Sequence, residues 1–486
     1  MAKDIFKSSI AYTILGFLPL SFAVIFTPIY LKYLNETEYG ILSLFTLYTG
    51  FIAQAYSLGV SSAFGYIYWD VYKDKVKLKE LISSALGLLL SIQALFILIT
   101  LLFGKPIFEF FVKSSDVFTF NPYLILALAY SAFLVFYEMI LYFFRNEGDY
   151  KKYATLSIMT LLLLTIGTLI GVVGLDLKAL GAIIGRTLGY GLVISSFIVI
   201  LIIKYGISFN LKLWKDLLKF GLPLFASAII GSIGYGMDRL LIERFDSLET
   251  LGVYAFALVV ITVIETFFNA LNNALSPVLY KYVNEFADLK KKEIQALSHS
   301  IVMILMLAIT VILALINPLM DLLISNKDYH LASQYVPILA VAFLWRIFST
   351  YFQYPLFMNK KTKRIAIIQF IFLISMSVFG ALGYYLYGML GIVFGVYLAR
   401  TLDFLIARFY SIRTKQINFS FKNLILVTVL LSLVATAITI DNTLFMNKYI
   451  TFCVPLIAFV VLTPVFLRKE MKLIYFAFLN RKSLFD

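Results

Sequence analysis

FGVYLARTLDFLIARFY, residues 394–410, is apolar or aromatic over most of its length, yet it places Arg400 and Asp403 near its middle. What that guanidinium does depends on the solvent around it, and the rest of the chain settles the solvent. Of the 486 residues 61% are hydrophobic and only 14% are charged. The mean hydropathy of +0.92 is far from that of soluble domains. The composition points to an all-α polytopic membrane protein.

A hydrocarbon core of about 30 Å takes about 20 apolar residues in helical form. That window predicts fourteen spans near 9–31, 40–69, 81–103, 122–144, 153–173, 179–203, 220–238, 251–280, 298–325, 334–358, 365–386, 388–407, 423–440 and 449–467. The first run, ending at Leu31, is long enough to span, and no small-residue cleavage pattern follows it, so it reads as a retained helix. With the N-terminus cytoplasmic, the cytoplasmic segments hold 30 Lys and Arg and the outer segments 8. By the positive-inside rule both termini are then cytoplasmic. This orientation accounts for the net charge of +14 without a nucleic-acid partner. Three basic residues remain inside the membrane: Arg186, Arg346 and Arg400.

One cysteine, Cys453, excludes an internal disulfide and a cysteine metal site, and His299 and His330 are too far apart for a local metal motif. No cofactor is expected.

The sequence repeats itself. GFLPL (16–20) returns as FGLPL (220–224), and ETEYG ending at Gly40 returns as ETLG ending at Gly252. KPIFE recurs as NPLMD, FFRN at Asn146 as LFMN at Asn359, LGAIIG at Leu180 as LGIVFG at Leu390, and ISFNLK at Ile207 as INFSFK at Ile417. The offsets stay near 210, and their common order makes chance a poor explanation. Each repeat holds six spans, an even number, so the halves are parallel. The expected organisation is a lobe at 1–205, an interfacial amphipathic linker helix at 206–219, a second lobe at 220–414, and two further helices with a basic tail at 415–486. The linker carries Lys212, Lys215 and Lys219 on one face and Leu211, Trp214, Leu217 and Leu218 on the other.

In these features the chain resembles the polysaccharide and O-antigen flippases of the multidrug, oligosaccharidyl-lipid and polysaccharide exporter superfamily. The likeness rests on the fourteen spans, the six-plus-six-plus-two arrangement, the segment containing Pro28, Leu31, Leu34, Asn35, Glu38, Tyr39 and Gly40, and the KFGLPL entry to span seven. It implies a V-shaped pair of six-helix bundles alternating between inward-open and outward-open states in a prokaryotic plasma membrane. It also implies a cargo, a polyprenyl-pyrophosphate-linked sugar or oligosaccharide moved to the outer leaflet for surface polysaccharide assembly, with a polysaccharide polymerase as a partner. Basic residues line the first two helices in the lipid II branch; here none lies between Lys7 and Lys32, which leaves the cationic load to spans six, ten and twelve.

A charge at the bilayer centre costs about 2.5–3.5 kcal/mol on insertion scales, so each embedded arginine needs a partner or a wet cavity. Arg400 and Asp403 are three apart and can pair along their helix; Arg186 and Arg346 have no acid nearby in sequence. Either the arginines hold helices together, or they present bidentate donors to a pyrophosphate. In span eight Glu265, Asn269, Asn272 and Ser276 form a polar stripe, with Asn273 beside it; the 212 offset sets Ser57 and Ser61 of span two against Asn269 and Asn273, and Gln54 extends that face. The stripe serves either interhelical hydrogen bonds or sugar hydroxyls. Glu265 and Asp403 are candidate ion-coupling groups, and Glu138 in span four reads as structural. An ion-coupled drug antiporter of the same superfamily would use twelve helices and an acidic cavity. A membrane enzyme of polysaccharide polymerisation would need a larger outer loop than residues 104–121 provide, and no nucleotide-binding loop is present.

Overall fold

The computed structural model describes residues 26–286, 291–359, 361–414, 420–444 and 455. Every described element is helical, and no strand occurs among the described residues. In chain order, after helical residues 26–33, the helices are α1 (Glu36–Ser57), α2 (Val60–Val71), α3 (Lys75–Phe111), α4 (Ile125–Glu147), α5 (Tyr150–Leu169), α6 (Lys178–Tyr205), α7 (Leu211–Phe245), α8 (Leu248–Phe286), α9 (Lys291–Leu323), α10 (Ala332–Met358), α11 (Thr362–Ile412) and α12 (Lys422–Leu444). Short π and 3-10 turns precede α4, follow α5 and precede α10.

Ten of the described helices are long and apolar enough to cross a membrane, eleven when α1 and α2, bent by 46° at their junction, count as one broken span. The α11 helix covers spans eleven and twelve, with its non-helical break at Gly388, φ 60 and ψ −140. Residues 9–25 of span one and nearly all of span fourteen lie outside the described residues. The segment expected to be a separate linker helix runs without interruption into span seven as α7, with Pro223 inside it.

The chain divides into two compact units, residues 1–252 and 253–486, whereas the repeat offset divides it at 206–219. The difference has a local cause: α7 packs on α1, α2 and α3. Trp214 donates its indole N–H to the Ser84 carbonyl at 3.0 Å, and Leu217 is fully buried in the core of the first unit.

In the first unit α4 is the hub, packed against α1, α2 and α6, with α5 laid along α6. In the second unit α10 packs against α9, α11 and α12 and is buried over most of its length. The repeated glycines occupy the helix crossings. A Cβ on Gly181 would strike the Gly171 carbonyl, and one on Gly185 the Gly167 carbonyl; in the second unit Gly391 stands in the same relation to Gly383, and Gly395 is pressed on Gly380. LGAIIG and LGIVFG are therefore two copies of one close crossing, where small residues let membrane helices approach to backbone contact.

The ETEYG and ETLG copies meet each other. Thr37 donates to Glu249 Oε1 at 3.0 Å, across 212 residues, and Gly40 and Gly252 each give way to the other segment's backbone. Just before them, Asn35 caps α1. Its Oδ1 accepts the Glu38 N–H at 2.9 Å while Glu38 accepts the Asn35 N–H at 3.2 Å, a reciprocal capping box. The NxxEYG motif is thus a helix start followed by a close approach.

Candidate functional site

The embedded arginines have different surroundings. In the second unit Arg346, on α10, forms an ion pair with Glu265 of α8 at 2.5 Å, their side chains 23% and 30% exposed. Sequence spacing alone gave Arg346 no acid; the packing of two helices supplies one. Asp403 is buried, lies in the field of Arg400 and of Arg346, and has the Ser349 hydroxyl beside it. Arg400 lies 4.1 Å over the ring of Phe372, a cation–π contact. Arg346, Glu265, Asp403 and Arg400 therefore form a charge cluster with acids and bases in equal number.

The polar stripe of α8 divides. Tyr354 donates its hydroxyl to Asn272 Oδ1 at 2.6 Å, which ties α10 to α8, and Asn269 is exposed. The side chains of Asn273 and Ser276 lie outside the described residues.

The first unit contains Arg186, on α6. Its Nε is buried with no hydrogen-bond partner, and no carboxylate pairs with it among the described residues. Around it lie the phenols of Tyr30, Tyr39 and Tyr130, all within reach of its charge. The position three residues on, which Asp403 occupies relative to Arg400, is here Gly189, and a Cβ there would strike the Leu163 carbonyl. The close crossing of α5 and α6 leaves no room for an acid. Arg186 is thus a half-buried guanidinium with phenols around it and no carboxylate partner among the described residues.

A second feature of the first unit is a cavity of about 340 Å³ at the break in span two, lined by residues of α1, α2, α4, α5 and α7. The break itself is fixed by packing: Leu58 and Gly59 have φ 42 and 76, and a Cβ on Gly59 would meet the Gly221 carbonyl of α7. Gln54 and Ser57, both expected from the sequence, line the cavity, and so do Glu138 and Arg145. Ser61 does not line it; it is fully buried and its hydroxyl reaches the Val135 carbonyl at 3.4 Å, an interhelical tie. Glu138 reads as structural from the sequence, and the structure puts it in the lining of the cavity. The available signal was that Glu138 is the only acid within residues 122–144.

The family model for the polysaccharide biosynthesis protein family matches residues 5–283, more than half of the chain. The chain belongs to this family. No curated protein matches the sequence. Among solved structures, this polysaccharide biosynthesis protein is similar to the lipid II flippase MurJ in its inward closed conformation, with a TM-score of 0.69 and 17% identity over 96% of this chain and 100% of that one. It is also similar to a MATE-family multidrug resistance transporter of the MOP superfamily. The inward-facing form gives 0.63 at 17% identity over 83% of this chain and 98% of that one, and the outward-facing form 0.59 at 17% over 85% and 95%. The polysaccharide biosynthesis protein therefore has the MurJ- and MATE-like transporter fold, and it is a multi-pass membrane protein.

Proposed function

We propose that the chain is a flippase that carries a polyprenyl-pyrophosphate-linked sugar or oligosaccharide across a prokaryotic plasma membrane by alternating access, with both termini cytoplasmic and no catalysis of its own. Residues 1–205 and 220–414 act as the two lobes, residues 206–219 join them, and residues 415–486 are appended. Family membership and the MurJ-like fold support this reading, but the observation that carries it is Arg186, a half-buried cation whose buried Nε has no hydrogen-bond partner and whose charge no described carboxylate pairs. A pyrophosphate supplies that charge and matches a guanidinium's paired donors. Arg346 and Arg400, each beside an acid, hold the second unit together in this account, and Asn269 remains available to hydroxyls of the cargo.

Export of a pyrophosphate from an inside-negative cell is downhill by about 2.3 kcal/mol per charge per 100 mV. The membrane potential is therefore a sufficient energy source. A cationic drug, the cargo class of an antiporter, would meet an uncompensated positive charge at Arg186 and be repelled.

The test is reconstitution of the full chain in vesicles with lipid-linked glycan extracted from cells that lack it. Arg186→Lys keeps the charge and loses the bidentate fork, so it folds and flips at least tenfold more slowly. Unchanged flipping in Arg186→Lys and Arg186→Ala would remove Arg186 from the pathway, and drug efflux without glycolipid flipping would assign the antiporter class.

A further inference from the structure

The cavity at the span-two break has in its lining a half-buried carboxylate that protein does not neutralise, Glu138, and an exposed guanidinium, Arg145. Glu138 makes no hydrogen bond or ion pair with any described residue. Arg145, seven residues on and about 10 Å further along α4 at 1.5 Å per residue, rests over the Tyr142 ring at 4.7 Å and makes no side-chain hydrogen bond among the described residues. Both residues line one half-open cavity; Arg145 is exposed to solvent while Glu138 is half-buried, so the unpaired carboxylate is the costly group of the two.

Few ligands satisfy the carboxylate together with the neutral polar groups around it. A cation would serve Glu138 and make no use of the amide and hydroxyl donors of Gln54, Ser57 and Ser62, and a phosphate would be repelled by Glu138. Clustered hydroxyls serve both, because each donates one hydrogen bond and accepts others. Gln54, Ser57 and Ser62 add an amide and two hydroxyls to the lining, while Leu224 and Phe225 of α7 give it an apolar wall. That combination suits a sugar ring, polar at its edge and apolar on its face.

The position of the cavity relative to Arg186 supports the same ligand. Tyr130, which lies in the field of Arg186, is eight residues before Glu138 on α4, about 12 Å along the helix axis. Tyr190 bridges the interval, with its ring 4.9 Å from Tyr130 and 5.4 Å from Tyr137, and in the field of Glu138. We propose that this cavity is a saccharide subsite, in which Glu138, Gln54 and Ser57 read the glycan while Arg186 holds the pyrophosphate. The subsite rests on the flippase reading.

The experiment measures binding of two probes to the purified full-length chain: the lipid-linked glycan extracted from cells lacking the chain, and polyprenyl diphosphate without sugar. The wild type prefers the glycosylated lipid at least tenfold. In Glu138→Gln the preference falls to within twofold, and affinity for the bare diphosphate is unchanged. Ser62→Trp, which fills the cavity from an exposed wall position, gives the same loss and keeps the question decidable should Glu138→Gln fold poorly. A preference that survives both substitutions, or a wild type with none, overturns the subsite and leaves the flippase reading standing. Failure of the wild type to bind either lipid, or absence of accumulated glycolipid in those cells, overturns both.

Discussion

Spans five and six in the first unit and spans eleven and twelve in the second are built alike and treat their arginine differently. Both pairs cross on repeated glycines, and both continue into Arg-Thr-Leu, with Thr187 bonded back to Ile183 and Thr401 to Tyr397 at 2.8 Å. Yet Arg400 has Asp403 one turn on, while Arg186 has Gly189 there, packed too tightly for any side chain. A shared scaffold thus leaves one cation balanced and the other open. The two copies share their packing and differ in charge compensation, the difference to which the proposed function assigns cargo binding.

The shared half of this comparison predicts the largest effect. Gly391→Val and Gly181→Val each drive a side chain into the facing backbone and cost about 3 kcal/mol or more, at the top of the overpacking range. Chemical denaturation in detergent should show similar losses for the two. A tolerated valine at either position would break the equivalence of the crossings.

The divergent half predicts an intermediate effect. Arg346→Met strands Glu265, and Glu265→Gln removes the countercharge of Arg346. Because about a quarter of each side chain is exposed, the loss is roughly 2 kcal/mol, below the 3–5 kcal/mol of fully buried pairs. Combining Arg346→Met with Glu265→Gln recovers much of it, a coupling that a double-mutant cycle reads directly. Additive losses would mean that the pair is not coupled.

The smallest effect is a control outside the spans. Asp149 caps α5 by accepting the Lys152 N–H at 3.0 Å, and the Lys152 side chain and then its backbone N–H hold the Asp149 carboxyl below the usual carboxylate range. A lowered folded-state value gives stability that is present above the ordinary aspartate range and lost as pH falls through the folded-state value. Asp149→Ala should cost about 1 kcal/mol near neutrality, as caps do, and nothing once acid has protonated the carboxyl. An equal cost at both ends of that range would contradict the cap assignment.

Much of the fold was legible because apolar length and Lys/Arg placement are local signals. The repeat was legible because its glycines are required on each copy: LGAIIG and LGIVFG could be matched before their crossing was visible. The Arg346–Glu265 pair was not, since 81 residues separate its partners and no spacing rule joins two different helices. Asp403 misled in a different way. Its three-residue distance from Arg400 suggested a private pair, whereas the folded chain also brings it Ser349 and the field of Arg346. The cavity at Glu138 escaped because its walls come from five helices and it lies at a break at Leu58 and Gly59, where the sequence reads as one continuous span at 40–69 with a polar face.

The central claim is that Arg186 is held for a ligand while Arg346 is held by the protein, and one paired measurement tests it: melting temperature and binding of polyprenyl diphosphate for Arg186→Met and Arg346→Met in the same detergent. Arg186→Met strands no ionic partner, so it melts at or above the wild type and loses diphosphate binding, whereas Arg346→Met melts lower and keeps binding per folded molecule. The reverse pattern, with Arg186→Met unstable but binding normally, would contradict the account.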